Sequence, residues 1–267
     1  MRIVILPSAL DVALFAADAV VEAIQANPRY VLGLATGSTP VSLYQELVRR
    51  YAANEVSFAE VTSFNLDEYI GISAAHPQSY RAFMNRHLFD RINIDHANTF
   101  VPMAEADQQQ ALASSAEQYE ATIRAKGGID LQILGLGENG HIGFNEPMSS
   151  LSSRTRIKTL SESTIEANKR FFSADEFQPY LALTMGIGTI LDSKNIILLA
   201  TGQNKAAAVQ AMIEGPLAAM VPASALQLHK QTTIVIDQDA ASALRLGDYY
   251  KWSEQQRRQL NKGQQDA

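Results

Sequence analysis

Short apolar runs alternate along this chain with longer segments in which apolar residues recur every third or fourth position. Seven stretches read as strands: "RIVIL" (2–6), "YVLGLA" (30–35), "VTSFNL" (61–66), "IDLQILGLG" (129–137), "RTRIKTL" (154–160), "NIILLAT" (195–201) and "TTIVID" (232–237). Several are apolar on both faces, the pattern of strands buried between two helical layers. Between most of them the period changes. Val12, Phe15, Ala16, Ala19, Val20, Ala23 and Ile24 follow i, i+3, i+4, i+7 spacing, so one stripe of that segment faces a core. Ser8, with Asp11, is placed to cap its start. Similar helical segments are expected at about 40–53, 77–89, 109–126, 161–172, 204–214 and 239–246. Strands alternating with helices predict an α/β fold, a three-layer sandwich with a mostly parallel, Rossmann-like central sheet. No linker or composition break divides the chain, so residues 1–267 read as one domain. The polar tail from about residue 248 reads as a surface helix or a frayed end.

Composition narrows the classes. Of 267 residues 46 % are hydrophobic and 19 % charged, as in an ordinary globular chain. The net charge of −6 argues against broad nucleic-acid or anionic-membrane binding and leaves room for one small anion site. With no cysteine there is no disulfide, thiolate zinc site or cysteine nucleophile, which fits a reducing compartment, and the cytoplasm is the expected location. The N-terminal stretch is interrupted by Pro7, Asp11 and Asp18 and reads as a strand and a helix rather than an export signal. Nowhere do 18 apolar residues run together, so no membrane span is expected.

In sheets of this kind ligands bind beyond the carboxyl ends of the strands, which directs attention to the loops. After "YVLGLA" come Thr36, Gly37, Ser38, Thr39 and Pro40. Gly37 permits a tight turn, Thr39 can cap and Pro40 suits a first helical position. Free N–H groups and the helix dipole would then make an anion site, the alternative being a plain capped helix. Lys205 stands near a predicted helix start, unfavourable to the dipole unless an anion meets it; a solvated lysine is the alternative. Asp67 and Glu68 fall just past a strand, either as a general base or as caps for the next segment. "GLGENGHIGFNEP" (135–147) contains G-x-G-x-x-G at Gly135, Gly137 and Gly140, with Glu162 at a fitting distance for a ribose contact. A dinucleotide fingerprint needs a helix straight after the third glycine; Gly143, Pro147 and a serine-rich run stand there instead. What remains is a polar loop whose His141 and Glu146 are either a proton-shuttling pair or a hydrogen-bonded structural turn. Five histidines without paired spacing make metal a poor explanation, and no G-x-S-x-G elbow marks a serine hydrolase. Arg154, Arg156 and Lys158 alternate, as a charged edge strand would, or as a second anion site.

Taken together, "GLATGSTP", "FNLDEYIG", "HPQSY", "GLGENGHIGFNEP", "SSRTRIKTL", "ANKRFF", "LALTMGIGTIL" and "PASALQLH" resemble glucosamine-6-phosphate deaminase, in the family's order over about residues 1–240. The resemblance implies conversion of glucosamine 6-phosphate and water to fructose 6-phosphate and ammonia, in amino-sugar catabolism, without metal or organic cofactor. By motif position Asp67 would be the base that moves the C2 proton towards C1. His141 would open the ring, with Glu146 completing its relay. Asn139 also falls at an active-site position. Many relatives carry Asp there, and an amide can only orient His141 or water. The phosphate would meet Thr36, Gly37, Ser38, Thr39, Arg170 and Lys205. Regulated members are hexamers activated by N-acetylglucosamine 6-phosphate between subunits, and Ser149, Arg156, Lys158 and Thr159 match that site's pattern. Its C-terminal aromatic does not align cleanly, with Tyr249 or Tyr250 as candidates. Two rival readings are a 6-phosphogluconolactonase-like hydrolase, which would not need Asp67 as a carbon base, and a non-catalytic sugar-phosphate-sensing domain, which would need a DNA-binding segment.

Overall fold

The computed structural model describes residues 1–105, 108–169, 172–173 and 176–265. Its strands are β1 (Arg2–Leu6), β2 (Val31–Leu34), β3 (Thr62–Asn65), β4 (Asp67–Tyr69), β5 (Thr99–Phe100), β6 (Leu131–Gly135), β7 (Arg156–Thr159), β8 (Leu181–Thr184), β9 (Asn195–Ala200) and β10 (Thr232–Asp237). The helices are α1 (Ala9–Ala26), α2 (Val41–Ala52), α3 (Tyr80–His87), α4 (Gln109–Ala125), α5 (Glu162–Lys169), α6 (Ile187–Leu191), α7 (Ala206–Glu214) and α8 (Gly247–Gln265).

Seven strands form one sheet in the order β1-β10-β9-β6-β2-β3-β5, with every pairing parallel. Parallel strands need crossover helices, and these cover both faces. On one face Val12, Ala16 and Val20 of α1 and Leu43, Tyr44 and Leu47 of α2 pack on Leu32, Ile133, Leu199 and Val235. On the other, Tyr119 and Ile123 of α4 and Val209 and Met212 of α7 pack on Leu134, Leu198, Ile234 and Ile236. Each fully buried aliphatic side chain contributes about 1.5–3 kcal/mol. The three-layer α/β reading therefore holds. Ser8 caps α1 as expected, its Oγ accepting from Asp11 N at 3.3 Å. Among the described residues no helix is long and apolar enough to cross a membrane.

The departures are local. "RTRIKTL" does not join the parallel sheet: β7 is the edge of a separate three-stranded antiparallel sheet, β4-β8-β7. Arg154 lies ahead of β7 and is drawn away to Glu120 (2.6 Å) and Asp192 (2.5 Å), so it does not alternate with Arg156 and Lys158 on one strand face. Thr39 makes no cap, because α2 begins at Val41 with Pro40 before it and no side-chain acceptor. The helix expected at 239–246 is a series of turns. There the backbone N–H of Ala240 goes to the Asp237 carboxylate, and those of Arg245 and Leu246 go to Glu214, ahead of α8. The polar tail is that helix, tied to β1 by Arg2, whose guanidinium donates to Glu254 at 2.6 and 2.8 Å.

The small sheet is seated through Gly186, between β8 and α6. A Cβ there would lie 2.0 Å from the Ser153 carbonyl oxygen, so only a bare backbone fits. Gly186→Ala should lower stability by about 1–3 kcal/mol in urea unfolding, the usual range for overpacking; an unchanged midpoint would contradict this seating.

Candidate functional site

The carboxyl ends of β2, β3, β6 and β9 each lead into a segment singled out by its sequence. β3 ends at Asn65, and one residue later Asp67 opens β4. Asp67 and Glu68 therefore begin a strand rather than occupy a loop, and both are buried. Successive strand residues point to opposite sides, and the two carboxylates have different partners. Glu68 is the cap: its oxygens accept from the backbone N–H groups of Tyr80 and Arg81, the first residues of α3, and from Tyr69 N, all at 2.9 Å. Burial raises its carboxyl and these donors partly offset that. Asp67 faces the 135–147 loop. It accepts from the Phe144 N–H and lies 3.5 Å from the Thr184 hydroxyl, which takes the same N–H at 3.2 Å. A methyl on Gly143 would sit 3.2 Å from Asp67 Oδ2. Burial, reinforced by the neighbouring Glu68 charge, pushes Asp67 from an ordinary 3.8 up to about 8.

The same loop carries His141, whose Nδ1 is 3.5 Å from Glu146 Oε2, at the outer limit of a hydrogen bond. The ring lies over Gly137, where a Cβ would come within 2.3 Å of it, so glycine at 137 is what admits the histidine. Asn139 bridges the pair: its Nδ2 donates to Glu146 Oε2 at 2.7 Å and its Oδ1 accepts from His141 N at 3.1 Å. Burial alone would raise the Glu146 carboxyl. Contact with His141, then Thr164 and Asn139, outweighs it and holds the group well below the usual carboxylate range. Two carboxylates, one facing the 135–147 loop and one within it, are thus driven in opposite directions, the arrangement that separates acid from base roles.

The remaining segments close on this loop. Asn204 Nδ2 donates to Glu138 Oε1 at 2.6 Å, which brings the turn holding Lys205 against 135–147. Lys205 is half-buried, and its ammonium pKa is lowered by that burial, partly offset by Glu138. Thr36 hydrogen-bonds Tyr80, whose ring stacks on Phe144 at 5.7 Å; Ser38 and Gly37 stand exposed beside it. Ala223 N donates to Gly140 O at 2.9 Å, so "PASALQLH" buttresses the loop from behind. Arg170 lies outside the described residues. Arg156 Nη1 donates to Asn145 Oδ1 at 2.9 Å, and Ser149 is buried with its Oγ lacking a partner among the described residues. Lys158 and Thr159 continue along β7. Among the described residues no group of three or more His, Asp or Glu is placed to hold a metal ion.

Thr184 and Thr164 join the site without a signal of their own in the sequence. "LALT" is a run of only four residues, and a lone threonine carries no pattern of its own. A cavity of about 1080 Å³ opens at the opposite, amino-terminal edge of the sheet, lined by Arg2, Tyr30, Thr232, Tyr249 and Glu254. It gathers none of the convergent polar residues of the 135–147 loop.

The chain is similar to known proteins over most of its length. A model of the family described as "Glucosamine-6-phosphate isomerases/6-phosphogluconolactonase" matches residues 8–235. The chain is 65 % identical over 263 residues to a glucosamine-6-phosphate deaminase of Marinomonas sp. (strain MWYL1), covering 98 % of this chain and 99 % of the relative. It is 56 % identical to the deaminase of Cellvibrio japonicus (strain Ueda107), covering 97 % and 98 %. Among solved structures, a monomeric glucosamine-6-phosphate deaminase of the NagB superfamily superposes with a TM-score of 0.87 at 42 % identity, covering 91 % of this chain and all of that one. The 6-phosphogluconolactonase of Trypanosoma cruzi, at 20 % identity and a TM-score of 0.74 over 91 % and 97 % of the two chains, shares the fold.

The buried Asp67 has a consequence for stability. Its folded-state pKa stands above the unfolded one, so between pH 3.8 and about 8 the native chain holds a proton that the unfolded chain releases. Its contribution therefore falls as pH rises through that window. Asp67→Asn should raise the melting temperature at pH 8 and flatten its decline between pH 6 and 9. Parallel melting curves for the two proteins across that range would contradict the raised value.

Proposed function

Because the chain belongs to the glucosamine-6-phosphate isomerase/6-phosphogluconolactonase family, we propose that it is a glucosamine-6-phosphate deaminase acting in the cytoplasm. The reading is carried by the convergence of Asp67 and the His141–Asn139–Glu146 group on one polar loop beside the Lys205 turn. The C2 proton of an amino sugar is acidic only in the open-chain aldehyde, so the ring must open before carbon chemistry starts. His141, oriented by Asn139 and Glu146, transfers the proton that opens the ring. Asp67 then takes the C2 proton and returns it at C1, while the substrate ammonium gives up one proton and the C1 oxygen gains one, leaving an iminium at C2, which water hydrolyses to the ketone with loss of ammonia. Each well-placed acid or base supplies about 10²–10⁴ in rate. Thr36, Gly37, Ser38 and Thr39, with Lys205 and Arg170, bind the phosphate. That binding energy from a non-reacting group helps hold C2 against Asp67.

Asn139 acts as an orienting donor. Its amide can donate to an ionised Glu146, where a carboxylate at the same distance would need a shared proton.

Ser149, Arg156, Lys158 and Thr159 are the candidate site for an N-acetylglucosamine 6-phosphate activator. Arg156 is half-buried, and it touches Asn145, the neighbour of Glu146. A hexamer would be the assembly that serves such a site, whereas the solved deaminase relative is described as monomeric. Activation is tested by substrate saturation with and without the acetylated sugar phosphate; hyperbolic curves unchanged by it would remove the activator site from this reading.

Incubation with glucosamine 6-phosphate should release ammonia and fructose 6-phosphate in equal amounts, and Asp67→Asn should cut kcat by about 10²–10⁴ while leaving sugar-phosphate binding largely intact. Wild-type kcat in that variant would refute the assigned base. The base works ionised, so kcat/KM should rise with pH through a half-maximum near 8 and level off above it. The acid limb of kcat should lie lower, because a bound substrate ammonium favours the carboxylate. A kcat/KM that is flat from pH 6 to 9 would contradict Asp67 as the base.

A further inference from the structure

The two oxygens of the Glu146 carboxylate face different elements. Oε2 meets Asn139 and His141 at 2.7 and 3.5 Å. Oε1 meets the first turn of α5, accepting from the Thr164 hydroxyl at 2.5 Å and from Ser161 N at 3.4 Å. Thr164 is itself buried and held by that turn: its N–H goes to Ser161 Oγ at 3.3 Å, and the Ser161 hydroxyl lies 3.0 Å from its Oγ1. A hydroxyl to a carboxylate at this distance is a charge-assisted hydrogen bond, and it is the shorter of the two contacts on Oε1. A carboxylate is a flat group that turns about its last torsion, so whatever anchors Oε1 sets the direction of Oε2.

We propose that Thr164 is a positioning residue for the proton relay, its hydroxyl fixing the plane of Glu146 so that Oε2 faces His141. This rests on the proposed relay through His141 and Glu146. The ring-opening step then depends on how α5 is seated, although none of the proposed catalytic residues lies on α5. Removing the hydroxyl leaves Oε1, among the described residues, with only the longer Ser161 N–H contact, so the carboxylate is held mainly by Asn139 on Oε2 and less firmly oriented towards the imidazole. Thr164 is not among the residues proposed to bind the phosphate.

Two pairs of side chains isolate the hydroxyl. Thr and Val share a shape, and Ser and Ala differ by one oxygen. Thr164→Val should lower kcat roughly tenfold, the cost of a lost hydrogen bond to a charged group, with KM within about twofold. The solvent deuterium isotope effect on kcat should grow as proton transfer becomes limiting. Thr164→Ser should keep kcat within about threefold of wild type, and Thr164→Ala should behave as the valine variant. If Thr164→Val does not fold, the Ser and Ala variants carry the same comparison. An unchanged kcat in the variants without the hydroxyl, or equal impairment of Ser and Ala, would overturn the proposal. Glu146→Gln separates the two levels. Wild-type turnover there would refute the relay itself. Loss of turnover there, with active Thr164→Ala, would refute only the role of Thr164.

Discussion

A single residue, Leu66, carries the chain from the large parallel sheet to the small antiparallel one, and the proposed chemistry depends on that crossing. Its N–H donates to Leu34 O in β2 at 3.2 Å, and its carbonyl accepts from Met185 N just past β8 at 2.7 Å. Both sheets are thus pinned to the same residue. Asp67 comes at once, paired with Thr184 across the small sheet and pressed against the 135–147 loop from β6. With one residue of slack the carboxylate cannot move to solvent, so burial and its raised proton affinity are consequences of chain geometry.

That placement explains why two carboxylates near one loop behave oppositely. Asp67 has one backbone donor, a distant hydroxyl and a like charge next door, so the ionised form is disfavoured. Glu146 has an amide, a hydroxyl, a histidine and a backbone N–H around it, so the ionised form is favoured. In the proposed reaction, a base poised near neutrality and an ionised partner for a histidine are what a ring opening and a subsequent carbon-proton transfer require. The cost of holding Asp67 out of water is borne by the apolar packing on both faces of the seven-stranded sheet.

The parallel strands were legible in the sequence because strands buried on both faces are largely continuous apolar runs, as "VLGL" and "NIILLA" are. The small sheet was not, for physical reasons. β4 has three residues and β8 four, too short for a period to show, and β7 is mostly charged. Residues 239–246 have helical spacing, yet Asp237 and Glu214 capture the N–H groups that a helix would use. Asp67, His141 and Glu146 could be singled out because charged residues just past buried strands are few. The division of labour between Asp67 and Glu68 could not, since it depends on α3 arriving over Glu68. Thr164 and Thr184 draw their importance wholly from contacts made across the fold.

In the proposed reading, strand-end segments distant in sequence meet around one phosphosugar with its second carbon at Asp67. A crystal structure with an unreactive open-chain amino-sugar alcohol 6-phosphate tests it most directly. The phosphate should lie in the 36–39 turn beside Lys205, with C2 about 3–3.5 Å from the Asp67 carboxylate, the distance of a reactive approach, and the C1 end towards His141. A phosphate seated elsewhere, or a C2 turned away from Asp67, would contradict the account.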